Sequence, residues 1–258
     1  MKNKTIPQSM KKTISLSFWI FSILSTTFIN SNAQGTRLLR QPDISAKHIT
    51  FTYGSDIWIA ELNASNAVRI TSTAAVDEHP HFSPDGKWIA FSSNRSGIEA
   101  VYVVPIEGGE AKRLTWHPSN AIVRGWSNDG KQILYASNRE TAPRPYNRLW
   151  SVPAQGGVSQ LLSNQWAYDG AYSPNGNEMV IDKMSRWDFE WRGYRGGQNT
   201  PLIILDLKTS KEELIPNNKT ADIQPIWIED NIYFLSDRDF TTNIWAFNTK
   251  NISCEISI

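Results

Sequence analysis

One phrase recurs along this chain, and it decides what the chain can fold into. Phe82-Ser83-Pro84-Asp85-Gly86-Lys87 returns as Trp126-Ser127-Asn128-Asp129-Gly130-Lys131, and again as Tyr172-Ser173-Pro174-Asn175-Gly176-Asn177. The copies lie 44 and 46 residues apart. Each runs aromatic, serine, turn pair, then a β-rich segment: Trp88-Ile89-Ala90-Phe91, Gln132-Ile133-Leu134-Tyr135 and Glu178-Met179-Val180-Ile181. Asp-Gly and Asn-Gly tolerate the positive φ angles of a tight hairpin turn. A third strand follows each hairpin: Ala100–Val104, Arg148–Val152 and Leu202–Asp206. Next comes a turn (Gly108-Gly109, Gly156-Gly157 or Lys208-Thr209-Ser210) and a short fourth strand. Four antiparallel strands repeated at a period in the forties make a propeller blade.

Weaker copies flank these three. Pro225-Ile226-Trp227-Ile228 leads through Glu229-Asp230-Asn231, a turn without glycine, into Ile232-Tyr233-Phe234-Leu235 and then Asn243–Phe247. At the other end, His48–Thr52, Asp56–Ala60 and Val68–Thr71 supply three strands, and the first strand of that blade is missing or weak. A blade buries its two faces only against neighbours. The pattern therefore predicts an all-β propeller of four-stranded antiparallel blades, about five in number, at 37–77, 78–118, 119–165, 166–217 and 218–250. A β-sandwich is the competing fold, but sandwiches sustain no period in the forties.

The N-terminus reads as a targeting segment. Lys11 and Lys12 precede an apolar run from Ile14 to Ile29, and Ser31-Asn32-Ala33 places small residues before Gln34. This is the order of a cleaved secretory signal, predicting a signal peptide at 1–33, a propeller at 34–250 and a periplasmic or secreted protein. A membrane anchor is the alternative, but the run is short and rich in Ser and Thr for a span. Translation from Met10 instead of Met1 would give the tidier signal. With Cys254 as the one cysteine, no internal disulfide forms. Lys plus Arg total 26 against 25 for Asp plus Glu, which offers no electrostatic case for nucleic acid.

The repeat, with Ser-Asn-Arg closing its second strand at Ser93-Asn94-Arg95 and Ser137-Asn138-Arg139, resembles the propeller repeat of TolB-type proteins. Two further stretches resemble tricorn proteases. One is the opening Leu38-Leu39-Arg40-Gln41-Pro42-Asp43-Ile44-Ser45 with Asp56-Ile57-Trp58. The other is the insertion Trp191-Arg192-Gly193-Tyr194-Arg195-Gly196-Gly197, similar to a Trp-Lys-Gly-Tyr-Arg-Gly-Gly segment of that family. The resemblance implies a six-bladed first propeller, with a second propeller, a PDZ domain and a serine peptidase core later in the polypeptide. No residue here matches the catalytic motifs of that core. About five of six blades are then present, and residues 251–258 read as an aberrant or unstructured tail of a truncated or frameshifted product.

The residues with chemistry on offer are few. No Gly-x-Ser-x-Gly elbow occurs. Ser83, Ser127 and Ser173 stand before hairpin turns, where hydroxyls bond turn backbone; Asp85 and Asp129 stand where carboxylates cap amides. His79 and His81, at i and i+2, would share a strand face, but a zinc site needs further converging ligands. No cofactor or metal is expected. The pairs Asn94-Arg95, Asn138-Arg139 and Asp237-Arg238 recur in phase and predict a polar ring, either bonding between blades or facing the central channel. Arg192, Tyr194 and Arg195, with Trp187 and Trp191, form a candidate peptide contact on the rim, or else a simple inter-strand insertion.

The reading that results is a non-catalytic propeller of an exported tricorn-like serine peptidase, channelling peptides or unfolded polypeptide to a core outside this chain. A TolB-like scaffold that binds envelope proteins is the alternative. A propeller glycosidase or lyase would want clustered carboxylates on the channel, and the acidic residues are scattered through turns. Uncovered terminal blades would favour oligomers, and no stable membrane span is expected after signal cleavage.

Overall fold

The computed structural model describes residues 38–143, 146–183, 195–196, 199 and 201–256. Five four-stranded sheets follow one another along the chain. Blade 1 is β1 (Arg40–Ile44), β2 (His48–Tyr53), β3 (Asp56–Glu61) and β4 (Val68–Arg69). Blade 2 is β5 (Asp77–Phe82), β6 (Trp88–Ser93), β7 (Ala100–Pro105) and β8 (Lys112–Arg113). Blade 3 is β9 (Ile122–Trp126), β10 (Gln132–Ser137), β11 (Arg148–Pro153) and β12 (Gln160–Leu161). Blade 4 is β13 (Asp169–Tyr172), β14 (Glu178–Asp182), β15 (Ile203–Asp206) and β16 (Glu212–Leu214). Blade 5 is β17 (Asp222–Ile228), β18 (Asn231–Ser236), β19 (Asn243–Asn248) and β20 (Ser253–Ile256). Each sheet pairs its strands antiparallel in chain order.

The recurring phrase builds one hairpin turn three times. Ser83 Oγ donates to Asp85 Oδ1 at 2.6 Å and accepts from the Trp88 amide at 3.0 Å, while Asp85 Oδ1 also accepts from the Lys87 amide at 3.1 Å. Ser127 with Asp129, and Ser173 with Asn175, repeat the arrangement. Gly86 sits at φ 67°, a left-handed conformation that costs glycine nothing. The donors keep the turn carboxylate charged. The Ser127 hydroxyl, then the Lys131 amide, hold the Asp129 carboxyl down at about 2.

The core lies between the blades. Alternate residues of one strand feed two different interfaces, because successive side chains point to opposite faces. On β10, Ile133 and Tyr135 pack toward blade 2, whereas Leu134 and Ala136 pack toward blade 4. On β7, Val101 and Val103 face blade 3, whereas Ala100, Tyr102 and Val104 face blade 1. Strands buried on both faces read as continuous apolar runs, which is why Ala100–Val104 shows no polar alternation. Four such clusters join blades 1 to 2, 2 to 3, 3 to 4 and 4 to 5. Among the described residues no hydrogen bond joins blade 5 to blade 1, and the outward face of blade 5 carries exposed Ile226, Ile228 and Ile244.

Two expectations need correction. Arg40–Ile44 does form the first strand of blade 1, paired with β2 despite its proline and charges. Within the supposed tail of 251–258, Ser253–Ile256 is the fourth strand of blade 5, paired from Trp245 with Ile256 to Asn248 with Ser253. A left-handed Ile252 (φ 53°) takes the turn position that glycine fills in blades 2 and 3, so the turn survives without a sequence cue.

This division of the core gives a direct test. Phe91 is fully buried between blades 1 and 2. Phe91→Ala should cost about 3–5 kcal/mol in urea unfolding. Ile228→Ala, on the uncovered face, should stay within about 0.5 kcal/mol; equal losses at both positions would mean that the blade 5 face is packed in solution.

Candidate functional site

The first strand of each blade lies at one edge of its sheet, and successive first strands are neighbours: β1 with β5, β5 with β9, β9 with β13, β13 with β17. They form the wall of the central channel. Four of these strands skip a residue step against their partner. In β1 the skip spans Gln41-Pro42, in β5 His79-Pro80, in β9 Arg124 and in β17 Gln224-Pro225. Proline has no N–H for a ladder, so it fits a bulge on an edge strand. Gln41, His79 and Gln224 take φ of 51°, 55° and 52°, a left-handed conformation rare for residues with a side chain.

The bulges release backbone and side-chain polar groups, which then stitch the wall. Gln41 Oε1 accepts from the His79 amide and from Thr52 Oγ1, both at 3.0 Å, and Gln41 Nε2 lies 3.2 Å from His79 Nε2. Asp43 Oδ2 accepts from the Phe82 amide at 2.7 Å. Trp126 Nε1 donates to the His81 carbonyl at 2.9 Å, and the Gln224 amide donates to Asp182 Oδ2 at 3.3 Å. All but the Thr52 bond, which stays within blade 1, cross from one blade to the next. The bulge also breaks the strict alternation that would set His79 and His81 on one face. Among the described residues no group of three or more His, Cys, Asp and Glu converges to hold a metal.

A charged cluster occupies the same wall across blades 1 to 4. His81 Nδ1 lies 3.9 Å from Asp43 Oδ2, and Arg124 Nη1 lies 3.8 Å from Asp169 Oδ2. The Arg124 guanidinium rests over the Tyr168 ring at 4.5 Å. Its side chain is only 7% exposed, and neither Nε nor Nη2 has an acceptor. Burial pushes the His81 imidazole below its ordinary value, with Arg124 adding to the effect and Asp43 and Asp169 opposing it. Burial, then the charge of Glu78, pushes Glu99 upward, and Arg124 opposes that rise. The cluster lies on strands that sequence reasoning assigned to blades without assigning the wall. The available signal was the proline in Gln41-Pro42, His79-Pro80 and Gln224-Pro225, in three of the five inner strands.

The phased Asn-Arg pairs do something else. Arg95 donates from Nη2 to Asp77 Oδ2 at 2.8 Å and from Nε to Ser93 Oγ at 2.9 Å, with Tyr102 and Phe91 beneath its guanidinium. Arg238 repeats this with Asp222 at 2.7 Å and with Phe234 and Trp245. Asp77 and Asp222 open the first strand of the same blade, so these contacts clasp a blade to itself. Of the expected bonding between blades, Arg238 keeps a part, its Nη2 also donating at 2.7 Å to the Pro216 carbonyl just after β16 of blade 4, whereas the Arg95 bonds stay within blade 2. Arg139 lacks the partner because Ala121 stands just before β9, and it turns to Glu140 at 2.9 Å and to the Trp150 ring. Asn94 Oδ1 accepts from the Val76 amide, and Asp237 Oδ1 from the Ala221 amide. Asn138 Oδ1 is buried without a partner.

Asp237 has a second role. Arg195, in the insertion of blade 4, donates to Asp237 Oδ2 and to the Asp237 carbonyl, both at 2.8 Å, and lies over Phe240. Arg195 is thereby tied to blade 5. Arg192 and Tyr194, with Trp187 and Trp191, lie outside the described residues.

Two measurements follow from this geometry. Asp77 is fully buried and Arg95 is its ion-pair partner. Arg95→Gln should cost about 3–5 kcal/mol, since it strands a buried carboxylate. Adding Asp77→Asn should recover at least about 1 kcal/mol in a double-mutant cycle; additive losses would show that the pair is uncoupled. For His81, the folded-state value lies below 6.5, so the unfolded chain binds more protons just under that pH. Its contribution to stability is complete above about 6.5 and is lost as pH falls below it. A urea midpoint followed from pH 8 to about 5 should decline at the acid end, and His81→Gln should flatten that decline.

Known proteins share this architecture. Residues 36–255 match the family described as the tricorn protease N-terminal beta propeller domain. Tricorn protease homolog 1 of Streptomyces coelicolor is 32% identical over 212 residues, covering 81% of this chain and 20% of the relative. The chain thus spans about a fifth of that relative's length. The crystal structure of the tricorn protease superposes with a TM-score of 0.71 at 24% identity, over 85% of this chain and 22% of the other. A putative TolB from Agrobacterium tumefaciens gives 0.69 at 19% identity, over 85% and 80%. With its five blades and its match from residue 36 to 255, this chain belongs to the family of tricorn protease N-terminal β-propeller domains.

Proposed function

We propose that this chain is the non-catalytic propeller of an exported tricorn-like serine peptidase, and that it guides extended peptides toward a peptidase core carried outside these residues. The carrying observation is the inner wall. Three of its four bulges hold a polar side chain in a left-handed backbone, Gln41, His79 and Gln224. Such strain persists where surrounding structure imposes it, and it clusters at functional sites. A wall of amide, imidazole, carboxylate and guanidinium groups can trade hydrogen bonds with a passing peptide backbone without selecting a side chain. Arg195 is held beside blade 5 by Asp237, where a rim contact with peptide would act. Export rests on Lys11, Lys12 and the apolar run that follows them. The turn serines are committed to their turns, so hydrolytic chemistry belongs to the core.

Photo-crosslinking tests the reading. Unstructured peptides carrying a diazirine side chain should crosslink to Gln41, His79, Arg124 and Gln224, mapped by mass spectrometry. A chain that crosslinks no peptide on the inner strands, yet captures envelope proteins through its outer strands, would be a TolB-like scaffold instead. The TM-score of 0.69 to a putative TolB supports the fold of that second reading.

A further inference from the structure

We infer that the slot between blades 2 and 3, beside their hairpin turns, is a carbohydrate-binding site that takes one pyranose ring against Trp88. The slot has a volume of about 480 Å³, within the range of small-molecule sites. Blade 2 lines it with Asp85, Trp88 and Lys112, and blade 3 with Trp126, Asp129 and Gln155. Trp126 packs against the apolar cluster that joins the two blades, and its Nε1 is already spent on the His81 carbonyl. Trp88 is a different case. It is 40% exposed, at the first position of the second strand of its blade. The other four blades place His48, Gln132, Glu178 and Asn231 there, all polar. The repeat needs no aromatic ring at that position, yet blade 2 supplies one, and it borders the slot.

The charges around the slot decide among ligand classes. Asp85 Oδ2 lies 4.0 Å from Lys87 Nζ, and Asp129 Oδ2 lies 3.1 Å from Lys131 Nζ. Lys112 Nζ donates to the Gln155 carbonyl at 2.7 Å, a bond that spans from blade 2 to blade 3. Charges of both signs therefore stand around the slot, and an ion of either sign meets repulsion. What remains on offer is hydrogen bonding beside an indole face. Each turn carboxylate commits Oδ1 to its own turn, and Oδ2 keeps lone pairs for a further donor. The Lys112 ammonium has three donors, of which the Gln155 carbonyl takes one. The Gln155 side chain can both donate and accept. A pyranose matches that combination. Its C–H face is apolar and lies on the indole, and its rim of hydroxyls both donates and accepts.

The slot is open and already ordered. The Asp85 and Asp129 side chains are about half exposed, so a ligand reaches them from solvent. Ser83 and Ser127 fix the two carboxylates in their turns, and the turns abut, since a Cβ on Gly130 would stand 3.6 Å from Pro84 Cδ. Binding therefore costs little ordering of the chain. None of the lining residues belongs to the bulged segments of the channel wall, and the site holds whether or not the channel passes peptides.

The indole Nε1–H signals in ¹H–¹⁵N spectra of the whole chain provide the test, with Trp88 and Trp126 assigned by Trp88→Gln and Trp126→Phe. The probes are the methyl β-pyranosides of glucose, galactose and N-acetylglucosamine at millimolar concentration. At least one should move both signals saturably. Glycerol, which has hydroxyls and no ring face, should not, and neither should argininamide or acetate at matched ionic strength. Trp88→Gln installs the residue that blade 3 carries at this position, and it should weaken sugar binding roughly tenfold, read at Trp126. Trp88→Tyr, which restores a ring, should recover most of that loss. Lys112→Met, which removes the ammonium donors, should weaken binding several-fold and carries the comparison where the glutamine variant does not fold. The inference is overturned by the absence of a saturable response to all three sugars, by a saturable response to argininamide or acetate in their place, or by undiminished sugar binding in the folded variants.

Discussion

Face-to-face packing between successive blades is the constraint on which everything else here depends. A four-stranded sheet of this size has two apolar faces and no way to bury either alone. The chain meets that constraint by sending alternate residues of the same strand to opposite neighbours. Ile89 and Phe91 point toward blade 1, and Ala90 between them points toward blade 3. Met179 and Ile181 point toward blade 3, and Val180 toward blade 5. Removing one blade would therefore expose faces on two others. Among the described residues no apolar cluster joins the outward face of blade 1 or of blade 5 to another sheet.

This arrangement decided what could be read from residues alone. The second and third strands of blades 2, 3 and 4 were legible because they are largely buried on both sides and because an Asp-Gly or Asn-Gly turn opens the second strand. Their apolar runs and their Asp-Gly or Asn-Gly punctuation report two independent physical demands in phase. The outermost and innermost strands carry neither demand in full. β20 has two half-buried and two exposed residues, and its turn relies on Ile252 instead of glycine. β1 alternates between exposed and half-buried positions and holds Pro42. Its pairing is imposed by blade context and by the Asp43 bond to Phe82, not by local propensity.

The charged residues show the same split between local and tertiary information. The phase of Asn94-Arg95 and Asp237-Arg238 was visible, but their partners were not. Asp77 and Asp222 sit about one hairpin earlier, and only strand pairing brings each beside its arginine. Blade 3 shows that the clasp is separable from the blade. Ala121 removes the carboxylate, Arg139 turns to Glu140, and β9 and β10 still pair. The clasp therefore secures strands that the apolar core has already brought together.

The inner strands are where the fold can tolerate polarity. A first strand is the edge of its sheet, so a bulge there breaks one ladder and leaves the β2–β3 or β6–β7 pairing intact. The cost of the left-handed Gln41, His79 and Gln224 is offset by bonds that run from blade to blade. Those bonds tie rigid sheets together at the axis, where apolar packing is thinnest. A polar wall is in this sense a structural answer first. The stitching leaves Nε and Nη2 of Arg124 without an acceptor among the described residues, and that guanidinium is held on the wall by the Tyr168 ring at 4.5 Å and by Asp169 at 3.8 Å.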